Sequence, residues 1–254
     1  MAGGDGRWTG RHADKDALRQ EIWERLERAG VNVGPVRSRI PNFAGADLAA
    51  KRLSELPAWR QAEVIKCNPD PPQIPVRLRA LYDGKVVFTP VPELRTGTPF
   101  VRLDPERLRR QGVQFELAAV SQGFLQHGEP VQFEEMPYLP VCVVGCVAAS
   151  RDGARTGKGA GFADLELGIF RELGRIDAAT VIATTVHSSQ LVAEGSIPLE
   201  PHDSALHAIA TEAELIDTGG ARSQPAGVDW TAVKPDQFAS IPFLAGLRAR
   251  IERR

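Results

Sequence analysis

The chain has 254 residues, 43% apolar and 25% charged, and its 31 basic residues against 32 acidic ones leave a formal charge of −1. That balance is ordinary for a soluble globular chain and excludes collagen-like, disordered or disulfide-stapled classes. No apolar run nears the ~20 residues of a membrane helix. The start, MAGGDGRWTGRH, lacks the apolar stretch of a secretory signal, and near-neutral charge ill suits a protein held on nucleic-acid phosphates. A cytoplasmic protein with neither a membrane nor a nucleic-acid partner is expected.

Residues 1–12 read as a flexible N-terminus and 13–218 as one domain. Asp14 can cap a first helix whose buried stripe is Leu18, Ile22, Trp23 and Leu26, with Gly30 as its stop. The loop RIPNF presents Phe43, which can stack on a ligand ring or sit in local core. A helix GADLAAKRLSELPAW then leads into the short strand AEVIKC. The stretch NPDPPQIP, four prolines in eight residues, reads as loop or a late helix entry. Helix VRLRALYD, a turn at Gly84 and strand KVVFTPVP follow. The apolar run 139–149 predicts one buried strand carrying Cys142 and Cys146. Together with Cys67 these thiols lack companions at metal-ligand spacing and read as small buried hydrophobes.

After RDGARTGKGAGFAD come a helix LELGIFRELG, a strand ATVIATTVH and a helix SALHAIATE; His202-Asp203 can cap the turn before it or line a substrate site. Residues 219–254 are read as a linker and a final amphipathic helix, entered through Pro242 and packing on the domain. Strands alternating with helices, and near-continuous apolar runs within the strands, predict an α/β fold with a mostly parallel sheet covered on both faces.

The chemistry concentrates in Arg155 to Asp164. Gly157, Gly159 and Gly161 alternate, which lets backbone N–H groups turn towards a ligand at close range. Arg155 and Lys158 add charge, and a helix starting near Asp164 aims its positive end at the same place, so an anion site for phosphates is expected. The spacing fits neither the P-loop nor the dinucleotide fingerprint. Asp164 is an N-cap or, among phosphates, a partner for Mg²⁺. His187, at a strand end where α/β ligands bind, is a second candidate, balanced against a histidine bonded to backbone.

The pattern R-x-G-x-G-x-G-[FY]-x-D resembles the signature of the 5-formyltetrahydrofolate cyclo-ligase family. Lys15-x-x-Leu18-Arg19 resembles its K-x-x-L-R, Gly84-Lys85 with Pro90 its G-K-x-V-x-x-P, and Gln190, His202-Asp203 and Thr211-Glu212 its Q…H-D…T-E ending. The loop Arg39 to Phe43, Asn68-Pro69-Asp70, Arg95-Thr96-Gly97 and the tail from Ile241 to Arg250 look closer still to the methenyltetrahydrofolate synthetase domain-containing branch. The resemblance implies a three-layer α/β/α fold of the ribose-5-phosphate isomerase/CoA-transferase type. It also implies ATP- and Mg²⁺-dependent conversion of 5-formyltetrahydrofolate to 5,10-methenyltetrahydrofolate, ADP and phosphate, by a monomer or dimer. On that basis Lys15 and Arg155 are catalytic. Lys15, Arg19, Arg155, Gly157, Lys158, Gly159, Gly161 and Phe162 hold ATP, and Asp164 meets the metal. Phe43, Asp70, Gln73, His187 and Gln190 line a reduced-folate or related site.

Three positions depart from that family. Its E-x-x-T falls near Asp70 and Gln73, and the second aromatic of its G-Y-Y-D is Ala163. The departures leave open an ATP-using paralogue for a thiamine- or pterin-related heterocycle, as that branch is thought to contain, or a nucleotide-binding interaction module. Animal members of the branch add an RNA-recognition domain, whose aromatic motif is not expected here.

Overall fold

The computed structural model describes residues 12–94 and 97–253, so the expected flexible terminus up to residue 11 and Arg95-Thr96 lie outside the described residues. Helix α1 (Ala13–Ala29) is capped by His12, whose Nδ1 accepts the Lys15 N–H at 3.4 Å; Asp14 falls inside the first turn instead. Gly30, at φ 64°, ends it in the left-handed conformation that a glycine adopts without strain. The buried face of α1 changes character along its length. Ile22, Trp23 and Leu26 pack apolar core, whereas Lys15 and Arg19, a turn or two earlier, are buried cations.

The expected long second helix is two, α2 (Ala46–Leu53) and α3 (Pro57–Gln61), because Pro57 cannot sit inside a helix but suits the start of a new one. Strand β1 (Val64–Cys67) follows, and the proline-rich stretch makes one 3₁₀ turn, Pro71–Gln73, before α4 (Ile74–Tyr82). Next come β2 (Val86–Pro90), β3 (Phe100–Leu103), α5 (Pro105–Arg110), α6 (Phe115–Ala119), α7 (Ser121–His127) and β4 (Glu129–Val131). The run 139–149 is not one strand: it divides into β5 (Val141–Val143) and β6 (Ala148–Ser150), which belong to different sheets. Then follow β7 (Arg155–Thr156), α8 (Phe162–Glu172), β8 (Val181–Thr185), β9 (Leu191–Val192), β10 (Ala208–Ala210), β11 (Leu215–Asp217), α9 (Pro235–Ser240) and α10 (Leu244–Ile251).

The larger sheet has eight strands in the order β11-β10-β8-β5-β1-β2-β3-β4. Its centre, β10 through β2, is parallel; β11, β3 and β4 add antiparallel edges. Successive residues of β5 divide between two cores, as the strand period requires. Cys142 packs with Leu167 and Phe170 of α8, while Val141 and Val143 pack with Val76 and Ala80 of α4 and Leu53 of α2. Helices therefore cover both faces, giving the three-layer α/β/α arrangement. A second sheet, β7-β6-β9, lies beside it.

One further expectation is corrected. SALHAIATE holds β10, not a helix, because Ala208, Ile209 and Ala210 pair with Ala183, Thr184 and Thr185 of β8; sheet pairing overrides alanine's helical preference. The stretch 218–227 has no helix or strand, yet Gln224 bonds to Ala205 O at 2.9 Å and to Arg171 at 2.8 Å. Ile241, Leu244 and Leu247 are buried in the core of α8. Cys67, Cys142 and Cys146 are buried and unbridged; burial pushes the Cys67 thiol up to about 11 and the Cys142 thiol to about 12.

Candidate active site

A cavity of about 860 Å³ opens over the C-terminal ends of β1, β2 and β5, which contribute Asn68, Pro90 and Gly145 to its lining. Ligands of open parallel sheets gather at such ends. The cavity has two chemically distinct halves.

The first half is cationic. The glycine loop between β7 and α8 runs along it, with Gly159 at φ 103° and Gly161 at φ 74°, conformations that side chains resist. Arg19 reaches the loop from α1: its Nε donates to Gly157 O at 2.6 Å, Nη2 to Thr156 Oγ1 at 3.0 Å and Nη1 to Asp16 at 2.5 Å. Arg155 donates through Nε to Ser204 O at 2.9 Å and through Nη2 to Asp164 Oδ1, which also accepts the Ser204 N–H at 2.8 Å. Lys15 Nζ donates to Asp203 Oδ2. Lys15, Arg19 and Arg155 are only 7%, 5% and 3% exposed, so their charges act at low effective dielectric.

Burial opposes the Arg155 charge, but Asp164 and Asp203 outweigh it and hold the guanidinium above its ordinary range. At Arg19 burial prevails over Asp16 and moves the group down. Asp203 is pushed up by burial and pulled down further by the Glu200 N–H and Lys15, so its carboxyl lies below the usual carboxylate range. Three buried cations are thus paired with Asp16, Asp164 and Asp203 beside the loop.

The second half is lined by Asn68, Asp70, Gly145 and Glu166. Beneath it Lys66, 0% exposed on β1, donates to Asn68 Oδ1 and lies 2.6 Å from Glu166 Oε2, an ion-pair contact without hydrogen-bond alignment. Burial raises the Glu166 carboxyl above its ordinary range despite Lys66. A Cβ on Gly145 would stand 2.8 Å from Asp70 Oδ2 and 3.2 Å from Gln73 Oε1, so only glycine leaves these oxygens their places. Gln73 is fully buried; its Nε2 donates to Thr185 Oγ1 at 3.2 Å, and its Oε1 has no hydrogen-bond partner among the described residues.

Of the residues singled out in the sequence, Lys15, Arg19, Asp70, Arg155, Gly157, Lys158, Gly159, Gly161, Phe162 and Asp164 line this one cavity. Four others do not. Gln73 lies under the floor as described. Phe43 is 2% exposed and packs edge-on against His187, with ring centroids 5.9 Å apart. His187 caps a 3₁₀ turn, Nδ1 accepting the Ser189 N–H at 3.0 Å, and faces Glu212 at 3.5 Å. Gln190, fully buried, donates to Cys146 O and Val147 O, each at 3.1 Å. Sequence reading passed over Lys66 and Glu166, although each is a charge interrupting an apolar run, VIKC and LELGIF. It also passed over residues 227–237, of which Val228, Val233, Lys234 and Gln237 line the cavity.

No group of three His, Cys, Asp or Glu side chains able to hold a metal occurs among the described residues, nor any helix long and apolar enough to cross a membrane. A covered, mostly parallel sheet with a cavity at its strand ends, lined on one side by a basic glycine loop, defines an α/β protein with its candidate site there. The chain belongs to the 5-formyltetrahydrofolate cyclo-ligase family, whose description fits residues 11–212. It is 37% identical over 238 residues to the Methenyltetrahydrofolate synthase domain-containing protein of Mus musculus, covering 93% of this chain and 63% of that one. The Bos taurus protein of the same name is 35% identical over 241 residues, covering 94% and 63%. The chain therefore spans under two thirds of these relatives' length. Its fold is that of the Aquifex aeolicus 5,10-methenyltetrahydrofolate synthetase, solved by NMR, with TM-score 0.52, 20% identity and coverage of 82% of this chain and 95% of that one.

Proposed function

We propose that this chain is an ATP- and Mg²⁺-dependent cyclo-ligase, cytoplasmic, that converts 5-formyltetrahydrofolate to 5,10-methenyltetrahydrofolate. The observation that carries the reading is that three buried cations, Lys15, Arg19 and Arg155, line the same cavity as the glycine loop, which Arg19 grips at Gly157 O. Phosphoryl transfer asks the protein for positioning and for cationic stabilisation of spread negative charge. In the proposed reaction the formyl oxygen attacks the γ-phosphorus and ADP leaves. The folate's secondary aryl amine then closes on the formyl carbon, and phosphate departs with the former formyl oxygen and takes up the amine's proton. Arg155 and Lys15 hold the transferred group, Arg19 fixes the loop, and Gly157 to Gly161 offer backbone donors.

A dication fits this donor set as one carried by phosphates. Asp164 supplies one carboxylate beside Arg155, and Mg²⁺ takes few carboxylates together with phosphate oxygens and water. When bound it would neutralise charge on the phosphates.

The floor of the second half supports another reading, an ATP-using paralogue for a different heterocycle. Lys66 and Glu166 place a buried ion pair there, Gln73 is turned beneath Gly145, and Ala163 offers no aromatic wall. One experiment separates the two. Purified protein with ATP, Mg²⁺ and 5-formyltetrahydrofolate is followed by near-ultraviolet absorbance of the methenyl product, alongside calorimetric titration with ATP. An ATP-dependent rise, lost in Arg155→Ala, supports the cyclo-ligase. A flat trace from protein that binds ATP favours the paralogue, and absence of ATP binding overturns both.

A further inference from the structure

Residues 227–237 lie beyond the family-matched stretch, yet Val228, Val233, Lys234 and Gln237 line the cavity. The segment is tied down at both ends. On one side the Val228 N–H donates to Glu172 Oε1 at 3.2 Å, and the chain crosses α8 at Gly168, where a Cβ would come 3.0 Å from Val228 Cγ2 and 3.1 Å from Gly227 O. On the other side Ile241, Leu244 and Leu247 are buried in the core, and Phe243 meets Phe133 with ring centroids 5.7 Å apart. Val228, Trp230, Val233 and Phe238 pack with Phe162 and Ala163 against that same core, so the tail fills the space beside the small residue at 163.

The decisive contact is Gln237. It is 4% exposed, its Oε1 accepts the Lys234 N–H at 2.9 Å, and its Nε2 donates to Ala160 O at 3.1 Å. A planar trans peptide carries its N–H opposite to its C=O, so anchoring the Ala160 carbonyl fixes the direction of the Gly161 N–H. Gly161, at φ 74°, has no side chain of its own to hold it there. Lys234, three residues earlier on the same turn, is exposed and stands at the cavity mouth.

We propose that residues 227–237 are part of the ligand site: Gln237 is a positioning residue that sets the glycine loop's donors, and Lys234 meets the phosphate-bearing ligand at the mouth. The proposal rests on the anion-site reading above and assigns a role to a segment that reading does not use. It is tested in the full-length protein with Gln237→Ala, Gln237→Asn, Lys234→Ala and Lys234→Arg. Two readouts are needed: calorimetric titration with ATP and Mg²⁺, and hydrogen exchange of the loop 157–163, which requires no ligand. Lys234 is exposed, so its variants fold irrespective of Gln237.

Gln237→Ala is expected to raise loop exchange at least tenfold and weaken ATP at least tenfold. Lys234→Ala is expected to weaken ATP severalfold, with Lys234→Arg restoring it and leaving loop exchange as in the parent. Loop exchange and ATP affinity both unchanged in Gln237→Ala would overturn the positioning role. Equal affinity in Lys234→Ala and the parent would overturn the ligand contact. If the parent protein binds no ATP, the anion-site reading fails, while exchange in Gln237→Ala still decides the positioning role by itself.

Discussion

Lys15 and Asp203, 188 positions apart, form an ion pair at the edge of the cavity with side chains only 8% and 10% exposed. The first helix is thus fastened to the C-terminal half of the domain by a charge that the proposed phosphate-bearing ligand would compete for. Asp203 lies below the usual carboxylate range: burial pushes it up, but the Glu200 N–H and Lys15 pull it further down. A depressed carboxylate stabilises the fold fully above its unfolded value of about 3.9 and ceases to do so as pH falls through its folded value. Asp203→Asn is expected to cost about 1–3 kcal/mol at pH 7 and to flatten the acid limb of the stability curve below about pH 4. It should also tighten phosphate binding severalfold, because Lys15 loses its competing partner. Urea melts from acid to neutral pH and titration with inorganic phosphate check both halves.

Arg155 bridges Ser204 and Asp164, and the two bonds leave from different nitrogens of its fork. A lysine cannot reproduce that geometry. Arg155→Lys is expected to retain nucleotide binding while lowering kcat by about 10²–10³, the scale of a lost transition-state donor. Arg155→Ala should in addition destabilise the protein by about 3–5 kcal/mol, since Asp164 loses its buried partner. Single-turnover kinetics and denaturant unfolding separate the effects; a loss confined to KM contradicts the catalytic role.

The Lys66–Glu166 pair is buried on both sides. Because burial raises the Glu166 carboxyl, the native protein takes up its proton more readily than the unfolded chain, and this group's contribution to stability grows as pH falls through its raised value. Removing one partner at pH 7, by Glu166→Gln or Lys66→Met, is expected to cost about 3–5 kcal/mol each. The double variant Lys66→Met/Glu166→Leu should recover most of that. Strict additivity in a denaturation cycle would show that the two do not act as a pair.

Gly145→Ala separates the two ends of the cavity. The added methyl meets Asp70 Oδ2 and Gln73 Oε1 and must displace one of them. Overpacking of this kind costs about 1–3 kcal/mol, expected here as a roughly ten- to hundredfold rise in KM for the heterocyclic substrate. ATP affinity should stay within about twofold, since the glycine loop is untouched. Steady-state kinetics with each substrate varied in turn provide the check.

Much of the fold and half of the site were legible in the sequence, for physical reasons that differ by element. Lys15 and Arg19 stand four apart on a helix and Arg155 opens an alternating glycine run; both are local patterns, and the structure brings them to one cavity. The division of 139–149 was not legible, because an apolar run reports burial but not which sheet buries it. Ala208 to Ala210 carry helix formers yet pair with β8, a long-range term no local window contains. His187 and Gln190 lie at a strand end as expected. Their side chains, however, satisfy backbone groups, and sequence cannot distinguish a polar residue needed by the chain from one offered to a ligand.

The passage from β5 to β6 has a geometric consequence. The floor of the cavity's second half hangs from the large sheet through β1 and β5, and the glycine loop hangs from the small sheet through β7. Four residues, 144–147, join the two, and each end is pinned. Val144 donates to Ala183 O at 2.9 Å and accepts from Thr184 Oγ1 at 2.7 Å, while Val147 donates to Thr156 O at 2.7 Å. Gln190 grips the last two carbonyls. This short span acts as a gauge block, setting the distance between the floor and the glycine loop. Lengthening it by a single residue would offset cradle from floor by about 3.3 Å, roughly the separation at which reacting atoms must meet.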